Sequence, residues 1–182
     1  MTAFYISHPE VTIDPAVPVA EWGLSGAGRD RARALAPRLS GDIRSIVCSA
    51  ERKAIDTAEV LAQDLGLDFE VDALLGEMNR ESTGFLPLEE FEITVHEFFA
   101  QPTKSIRGWE RAIDAQARIV SGVRRHADDG TAVVAHGGVG ALLIAHLMSL
   151  PIEQSPDQPG LGSIFSFSTV RWELESGWSR ID

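Results

Sequence analysis

The chain has 182 residues, a length that favours one domain with its own hydrophobic core. Its hydrophobic share of 44% and charged share of 24% are typical of a globular protein. The formal net charge of −11 argues against nucleic acid or an anionic membrane as the main partner, because both reward a basic surface. An anionic substrate would therefore need a locally positive site.

The cysteine content and the apolar segments bear on the cellular location. Cys48 is the single cysteine, so no internal disulfide can form, and we expect a reducing, cytoplasmic environment. The first residues lack a basic stretch followed by an apolar one, so no signal peptide is expected. The most apolar segment, 139–150, is too short to span a bilayer.

Apolar periodicity predicts strands and helices that alternate along most of the chain. In chain order, we predict a strand at 3–7, a helix capped by Ser25 that runs to about Leu39, a strand at 46–48, a helix capped by Ser49 and ended by Gly66, a strand at 69–71, a helix from Trp109 to about Arg125, a strand at 131–135, a helix at 139–150, and two terminal strands, the first at 164–170.

This alternation predicts an α/β fold, a three-layer α/β/α sandwich around a mixed, mostly parallel central sheet. We expect residues 1–182 to form a single domain. Residues 77–107 have the least regular pattern and are expected to form an irregular segment that covers the site.

Two histidines follow predicted strands that are far apart in the sequence. His8 follows the strand at 3–7, and His136 follows the strand at 131–135. Polar residues at the carboxyl ends of neighbouring strands in an open α/β sheet face a ligand crevice. A neutral imidazole can attack phosphorus and form a phosphohistidine, so His8 is the candidate nucleophile. The alternative for His8 is a strand-end histidine that hydrogen-bonds its own loop.

Three further features fit a phosphate site at the same edge. Gly137 and Gly138 would let backbone N–H groups approach an anion at a helix start, although a glycine pair is also ordinary turn chemistry. The segment 49–59 opens a helix with cations beside a strand end, where most such charges are simply solvated. Glu77 lies near another strand end, where a carboxyl with a raised pKa could protonate a leaving alkoxide.

The spacing of these motifs resembles the histidine phosphatase superfamily, the phosphoglycerate-mutase-like fold. Residues 4–10 are similar to its Arg-His-Gly-Glu segment, 24–28 to its Leu-Thr-x-x-Gly helix start, 49–59 to its Ser-x-x-x-Arg-Ala-x-x-Thr-Ala-Glu helix, 75–77 to its Leu-x-Glu, and 134–138 to the segment of its second histidine. The resemblance implies that His8 is phosphorylated, that Glu77 acts as general acid and then base, and that His136 steadies the transferring phosphoryl group. It implies neither a metal nor another cofactor.

The chain departs from the family pattern at the phosphate-binding positions. Ser7 stands in place of the first arginine, Lys53 in place of the second, and Asp14 where an asparagine is common. By position, Ser7, Lys53 and Gly137 are the expected phosphate-binding residues. A lysine keeps the charge but loses the bidentate fork that suits phosphate, so Arg52 or Arg80 would be needed to compensate.

The residues favour a phosphatase that hydrolyses a small phosphate monoester through phosphorylated His8. One alternative is a degenerate member that binds a phosphate ligand or a protein partner without turnover, because of Ser7, Lys53 and Asp14. Another is a mutase-like phosphotransferase, disfavoured because segment 77–107 has more acids than cations to hold two anionic groups. A third places the function on a surface patch with Phe85, Phe91, Phe98 and Phe99. Homodimer formation is left open.

Overall fold

The computed structural model describes residues 1–181, which form six β-strands and five α-helices. The strands are β1 (Thr2–Ser7), β2 (Ser45–Cys48), β3 (Phe69–Val71), β4 (Thr131–Ala135), β5 (Ser163–Ser168) and β6 (Glu173–Arg180). The helices are α1 (Gly26–Leu39), α2 (Arg52–Leu65), α3 (Leu88–Ala100), α4 (Ala112–His126) and α5 (Gly137–Leu147). Short 3₁₀ turns lie at Val19–Glu21, Ala73–Leu75 and Ile152–Gln154. None of the helices within residues 1–181 has the length and hydropathy needed to span a membrane.

The strands form one sheet in the order β3-β2-β4-β1-β5-β6. The first four strands in that order are parallel, and β5 and β6 are antiparallel to their neighbours. The predicted α/β fold with a mixed, mostly parallel sheet is therefore confirmed. Because the four parallel strands share one direction, their carboxyl ends meet at one edge of the sheet.

The core lies on both faces of the sheet, because successive side chains of a strand point to opposite sides. On β1, Ala3 and Tyr5 pack into the cluster under α4 and α5, whereas Ile6 packs with α1 and α2 on the other face. β4 is buried along its whole length, as a central strand covered on both faces should be.

Local signals place the ends of the helices that flank the site. The Ser25 hydroxyl accepts a hydrogen bond from the Gly28 N–H at 3.0 Å and caps α1 as predicted. Gly66 ends α2 with φ +68°, a left-handed conformation that glycine adopts without penalty. The prediction that Ser49 caps α2 is wrong, because Glu51 is the cap residue. The Ser49 hydroxyl accepts a hydrogen bond from the Glu51 N–H at 3.2 Å, just before the helix, and also contacts the His136 ring at 2.8 Å.

Four further predictions differ from the structure. Helix α5 spans Gly137–Leu147 rather than 139–150. Residues 77–107 contain α3 and are more regular than expected, since α3 buries Phe98 in the core against the Trp109 ring. Helix α4 begins at Ala112 rather than Trp109, because the Trp109 ring is buried in the core after a turn with positive φ at Arg107 and Gly108. Strand β5 ends at Ser168, before Val170, where the chain turns toward β6.

Candidate active site

Four successive strands of the sheet each deliver a polar residue to the same edge. His8 follows β1, Ser49 follows β2, Glu77 follows the turn after β3, and His136 follows β4. The ring centroids of His8 and His136 are 5.4 Å apart, although 128 positions separate the two residues in the sequence. Parallel pairing of β1 with β4 produces this proximity, because it sets Ser7 beside Ala135.

His8 is held in a form suited to nucleophilic attack. Its Nδ1–H donates to the Pro9 carbonyl oxygen at 2.8 Å, which leaves the lone pair of a neutral ring on Nε2. Burial lowers the pKa of His8 to about 4, so the ring is neutral near pH 7. The hydrogen bond to its own loop that the alternative interpretation expected is present, and it fixes the orientation of the ring.

His136 is completely buried beside His8. Its Nε2 lies 2.8 Å from the Ser49 hydroxyl and 3.5 Å from a Glu51 carboxylate oxygen. Burial lowers the pKa of His136 to about 3. Within residues 1–181, Nδ1 of His136 is a buried nitrogen without a hydrogen-bond partner. A buried polar atom of this kind is rare and suggests a partner supplied by a ligand or water.

Glu77 is a partly buried carboxyl at the start of α5. Its oxygens accept hydrogen bonds from the N–H groups of Val139 at 3.0 Å and Gly138 at 3.3 Å. Burial and the nearby Glu51 raise the pKa of Glu77, although the two N–H donors oppose that change. The Gly138 N–H that was expected to meet an anion therefore donates to Glu77, which places this carboxyl at the start of α5.

Arg118 of α4 holds the backbone around Glu77. Its guanidinium donates to the carbonyl oxygens of Leu74, Gly76 and Glu77 at 2.8–3.0 Å. It also pairs with Glu110 at 2.8 Å. A planar guanidinium with five donors suits several fixed acceptors at once. Arg118 is therefore a positioning residue for the segment that carries Glu77.

We expect Arg118→Met to lower the free energy of unfolding by about 2–4 kcal/mol, because it removes several charge-assisted hydrogen bonds and leaves Glu110 unpaired. Urea denaturation would measure the change, with Arg38→Met on the exposed side of α1 as a control expected within about 0.5 kcal/mol of the native protein. Equal stability of the two variants would show that the Arg118 contacts do not hold this segment.

Two of the expected phosphate-binding residues, Lys53 and Ser7, already have hydrogen-bond partners within the protein. Lys53 is only 4% exposed, and its ammonium donates to the Val19 carbonyl at 2.8 Å and to the Glu51 carboxylate at 2.6 Å. Ser7 is buried, and its hydroxyl donates to Gln158 Oε1 at 2.5 Å and accepts from the Ser163 N–H at 2.9 Å. The position of the missing arginine is therefore filled by a neutral hydrogen-bonded cluster.

Gly137 leaves the space that Gln158 occupies. A Cβ atom at Gly137 would lie 2.1 Å from the Gln158 side-chain nitrogen, so any other residue would displace that amide. Gln158 comes from the loop before β5 and has no sequence signal that links it to the site. Glu51 was also missed by the sequence analysis, although it lies between Ser49 and Lys53 in the segment compared with the family helix.

Of the other charged residues considered from the sequence, one lines the cavity and two lie outside it. Arg80 lines the cavity and lies over the Phe91 ring, 4.8 Å from its centroid. Arg52 points to solvent and pairs with Asp56 at 2.6 Å, so it does not compensate for the missing arginine. Asp14 is exposed and accepts a hydrogen bond from the Ala16 N–H, outside the cavity lining.

The cavity has a volume of about 420 Å³ and opens at the carboxyl edge of the sheet. His8, Lys53, Glu77, Arg80, Gly137 and Gln158 are among its lining residues. Phe91 and Phe99 also line it, Phe98 is fully buried, and Phe85 is half-exposed, so these rings do not form one surface patch. Within residues 1–181, the structure shows no cluster of side chains that could ligate a metal.

Comparisons with known proteins agree with this geometry. The sequence model of the histidine phosphatase superfamily (branch 1) matches residues 18–178. A search of curated proteins found no significant match. Among solved structures, the chain is similar to the mycobacterial glucosyl-3-phosphoglycerate phosphatase, with 24% identity, a TM-score of 0.79, and 97% of this chain and 96% of the other covered.

Two other solved structures share the fold. Bacillus stearothermophilus YhfR has 20% identity and a TM-score of 0.78, with 100% of this chain and 99% of YhfR covered. Phosphoserine phosphatase from Entamoeba histolytica, solved with 3-phosphoglyceric acid, has 16% identity and a TM-score of 0.74, with 98% and 96% covered.

Proposed function

Because the chain belongs to the histidine phosphatase superfamily, we propose that it is a phosphatase that hydrolyses a phosphate monoester through a phosphohistidine on His8. One observation carries the proposal. A histidine with a lowered pKa, His8, and a carboxyl with a raised pKa, Glu77, line one cavity, and a second histidine, His136, is buried with its ring centroid 5.4 Å from that of His8. Phosphatases with the same fold add support.

The first step forms the phosphoenzyme. Nε2 of His8 attacks phosphorus, the bond to the ester oxygen breaks, and Glu77 gives its proton to the leaving alcohol. The raised pKa of Glu77 serves this step, because a carboxyl must be protonated to act as an acid. Arg80 lines the cavity and would contact the phosphoryl oxygens, supplying charge that Ser7 does not. His136, buried beside His8, would steady the transferring group.

The second step releases phosphate. The Glu77 carboxylate, now deprotonated, accepts a proton from a water that attacks the phosphohistidine. The bond from phosphorus to Nε2 breaks, inorganic phosphate leaves, and His8 and protonated Glu77 are restored. No metal or further cofactor enters either step.

The proposal includes a small phosphorylated substrate as the partner, rather than nucleic acid or a membrane. The net charge of −11 disfavours both of those polyanionic partners. We further propose a cytoplasmic location, in which Cys48 stays reduced. Homodimer formation remains a prediction from the sequence.

A second candidate is a non-catalytic member that binds a phosphate-bearing ligand or a protein partner. A specific observation favours it, since the buried Lys53 ammonium is already bound to Glu51 and to the Val19 carbonyl. Such a protein would be stabilised by its ligand without consuming it. Trapping the intermediate separates the two candidates.

With 4-nitrophenyl phosphate, Glu77→Gln is expected to release about one equivalent of nitrophenolate per chain in a burst and then to stall. Nitrophenolate leaves without a proton, whereas hydrolysis of the phosphoenzyme needs the base. Mass spectrometry of the stalled protein should find acid-labile, base-stable phosphate on His8.

Glu97→Gln, which removes an exposed carboxylate from α3, is the control and should turn over like the native protein. If Glu77→Gln shows neither a burst nor phosphate on His8, and inorganic phosphate still raises the Tm of the native protein, the non-catalytic candidate replaces this proposal.

A further inference from the structure

The Glu51 carboxylate lies among the groups expected to hold a phosphoryl anion. One oxygen accepts from the Lys53 ammonium at 2.6 Å, and the other accepts from the Glu77 N–H at 2.8 Å. The second oxygen also lies 3.5 Å from His136 Nε2. Glu51 therefore places a negative charge beside Lys53, the backbone of Glu77 and the ring of His136.

Glu51 carries that charge at neutral pH. Burial acts to raise its pKa, but His136, Lys53 and the Glu77 N–H together lower it below the usual range of a carboxyl. Its side chain is only 18% exposed, so water screens the charge weakly. An incoming anion would meet this charge at short range.

The charges that line the cavity leave no cation for a second anionic group. Within residues 1–181, Lys53 and Arg80 are its cationic lining residues, against the carboxylates of Glu51 and Asp157, and Glu77 is the lining carboxyl that the proposed reaction needs in its protonated form. Glu51 already engages Lys53, and a phosphoryl group would need Arg80. A carboxylate elsewhere on the ligand would then face acids without a partner.

Apolar side chains form much of the rest of the cavity wall, which also contains Asp157 and Gln158. Its apolar lining side chains include Val19, Trp22, Met78, Phe91, Val95 and Phe99. Such a wall favours binding of the apolar part of a ligand. A charged group on the ligand would lose its hydration there without gaining a hydrogen-bond partner. The part of a ligand beyond the phosphoryl group is therefore expected to be uncharged.

We propose that Glu51 is a specificity-determining residue, which favours phosphate monoesters of an uncharged, largely apolar alcohol and rejects esters whose alcohol part bears a carboxylate. This inference rests on the proposed function, because the preferred ligands are substrates only if the protein is a phosphatase. Its physical content is a difference in binding, so it can be measured without turnover.

The test compares two phosphonates of nearly the same shape, 3-methylbutylphosphonate and 3-phosphonopropionate, which differ by an isopropyl group and a carboxylate. Isothermal titration at pH 7 and constant ionic strength measures the ratio of the Kd of 3-phosphonopropionate to the Kd of 3-methylbutylphosphonate. On the native protein this ratio should be at least about ten. In Glu51→Gln the ratio should fall below about threefold, because the repelling charge is gone and the side chain still accepts the Glu77 N–H.

Two further variants identify the cause. Glu51→Asp keeps the charge and should keep the ratio, whereas Glu59→Gln removes an exposed charge from the same helix and should leave the ratio unchanged. The inference is overturned if the ratio is the same in Glu51→Gln and the native protein. It is also overturned if Glu51→Gln weakens both ligands equally, since Glu51 would then only position Lys53, or if neither phosphonate binds.

Because a phosphonate P–C bond is not hydrolysed here, the outcome does not depend on catalysis. If the native protein binds both phosphonates equally well but phosphate is trapped on His8, Glu51 has no role in specificity and the proposed phosphatase activity stands. A clear ratio without any phosphohistidine would keep the binding preference and remove the phosphatase.

Discussion

Substitution of His8 by alanine is expected to lower kcat for 4-nitrophenyl phosphate by about a thousandfold or more, because no other group near the cavity can take its place as nucleophile. Glu77 is held at the start of α5 by two backbone N–H groups. His136, whose Nδ1 has no hydrogen-bond partner among the residues that the structure describes, is completely buried and does not line the cavity. A steady-state assay with the purified variant measures the loss.

The matched control is His96→Ala, which removes an exposed imidazole from α3 and should change kcat by less than about twofold. Circular dichroism should show that both variants are folded. A His8→Ala protein that kept more than about a tenth of the native kcat would contradict a phosphohistidine mechanism.

The pH dependence of kcat/KM should be bell-shaped, with the acid limb set by His8 and the alkaline limb set by Glu77. His8 must be neutral to attack, and burial lowers its pKa to about 4, so activity should fall as the pH drops through that value. Glu77 must be protonated to act as an acid, and its pKa is raised by burial and by Glu51. Activity should therefore fall again as the pH rises through the raised pKa.

An alkyl phosphate shows the alkaline decrease most clearly, because its leaving group needs the proton. Above the Glu77 pKa, log kcat/KM should fall with a slope of about −1, whereas 4-nitrophenyl phosphate should show a shallower decrease. An alkyl ester with constant kcat/KM from pH 5 to about 9 would contradict the acid role of Glu77.

Ser7 and Lys53 stand where the family pattern has two arginines, and the contacts of both residues reduce the positive charge available to a phosphoryl group. Ser7 joins Gln158 and Ser163 in a neutral cluster, and Lys53 is tied to Glu51. Arg80, which stacks on Phe91, is the cation best placed to meet a phosphoryl group. A hydrogen bond to a charged group contributes about 1.5–3 kcal/mol, so weak binding of simple phosphate dianions is the expected consequence.

Motif order and periodicity were enough to predict the α/β fold and the separate strand ends that carry His8 and His136. These features depend on short stretches of sequence, since a buried strand followed by a polar residue is a local pattern. The boundaries that failed, at Ser49, Trp109 and Val170, depend on contacts with distant residues. The Ser49 hydroxyl, for example, contacts His136 rather than capping α2.

The sequence by itself determined which residue types are available for phosphoryl chemistry and placed them at the ends of predicted strands. Only the tertiary structure decided that Arg80 reaches the cavity while Arg52, about 100° around the helix from Lys53, turns to Asp56. It also decided that Gln158 fills the space beside Ser7 and that Glu51 holds Lys53. The direction of a side chain and the distance between two charges depend on how loops and helices pack, and no local pattern specifies that packing.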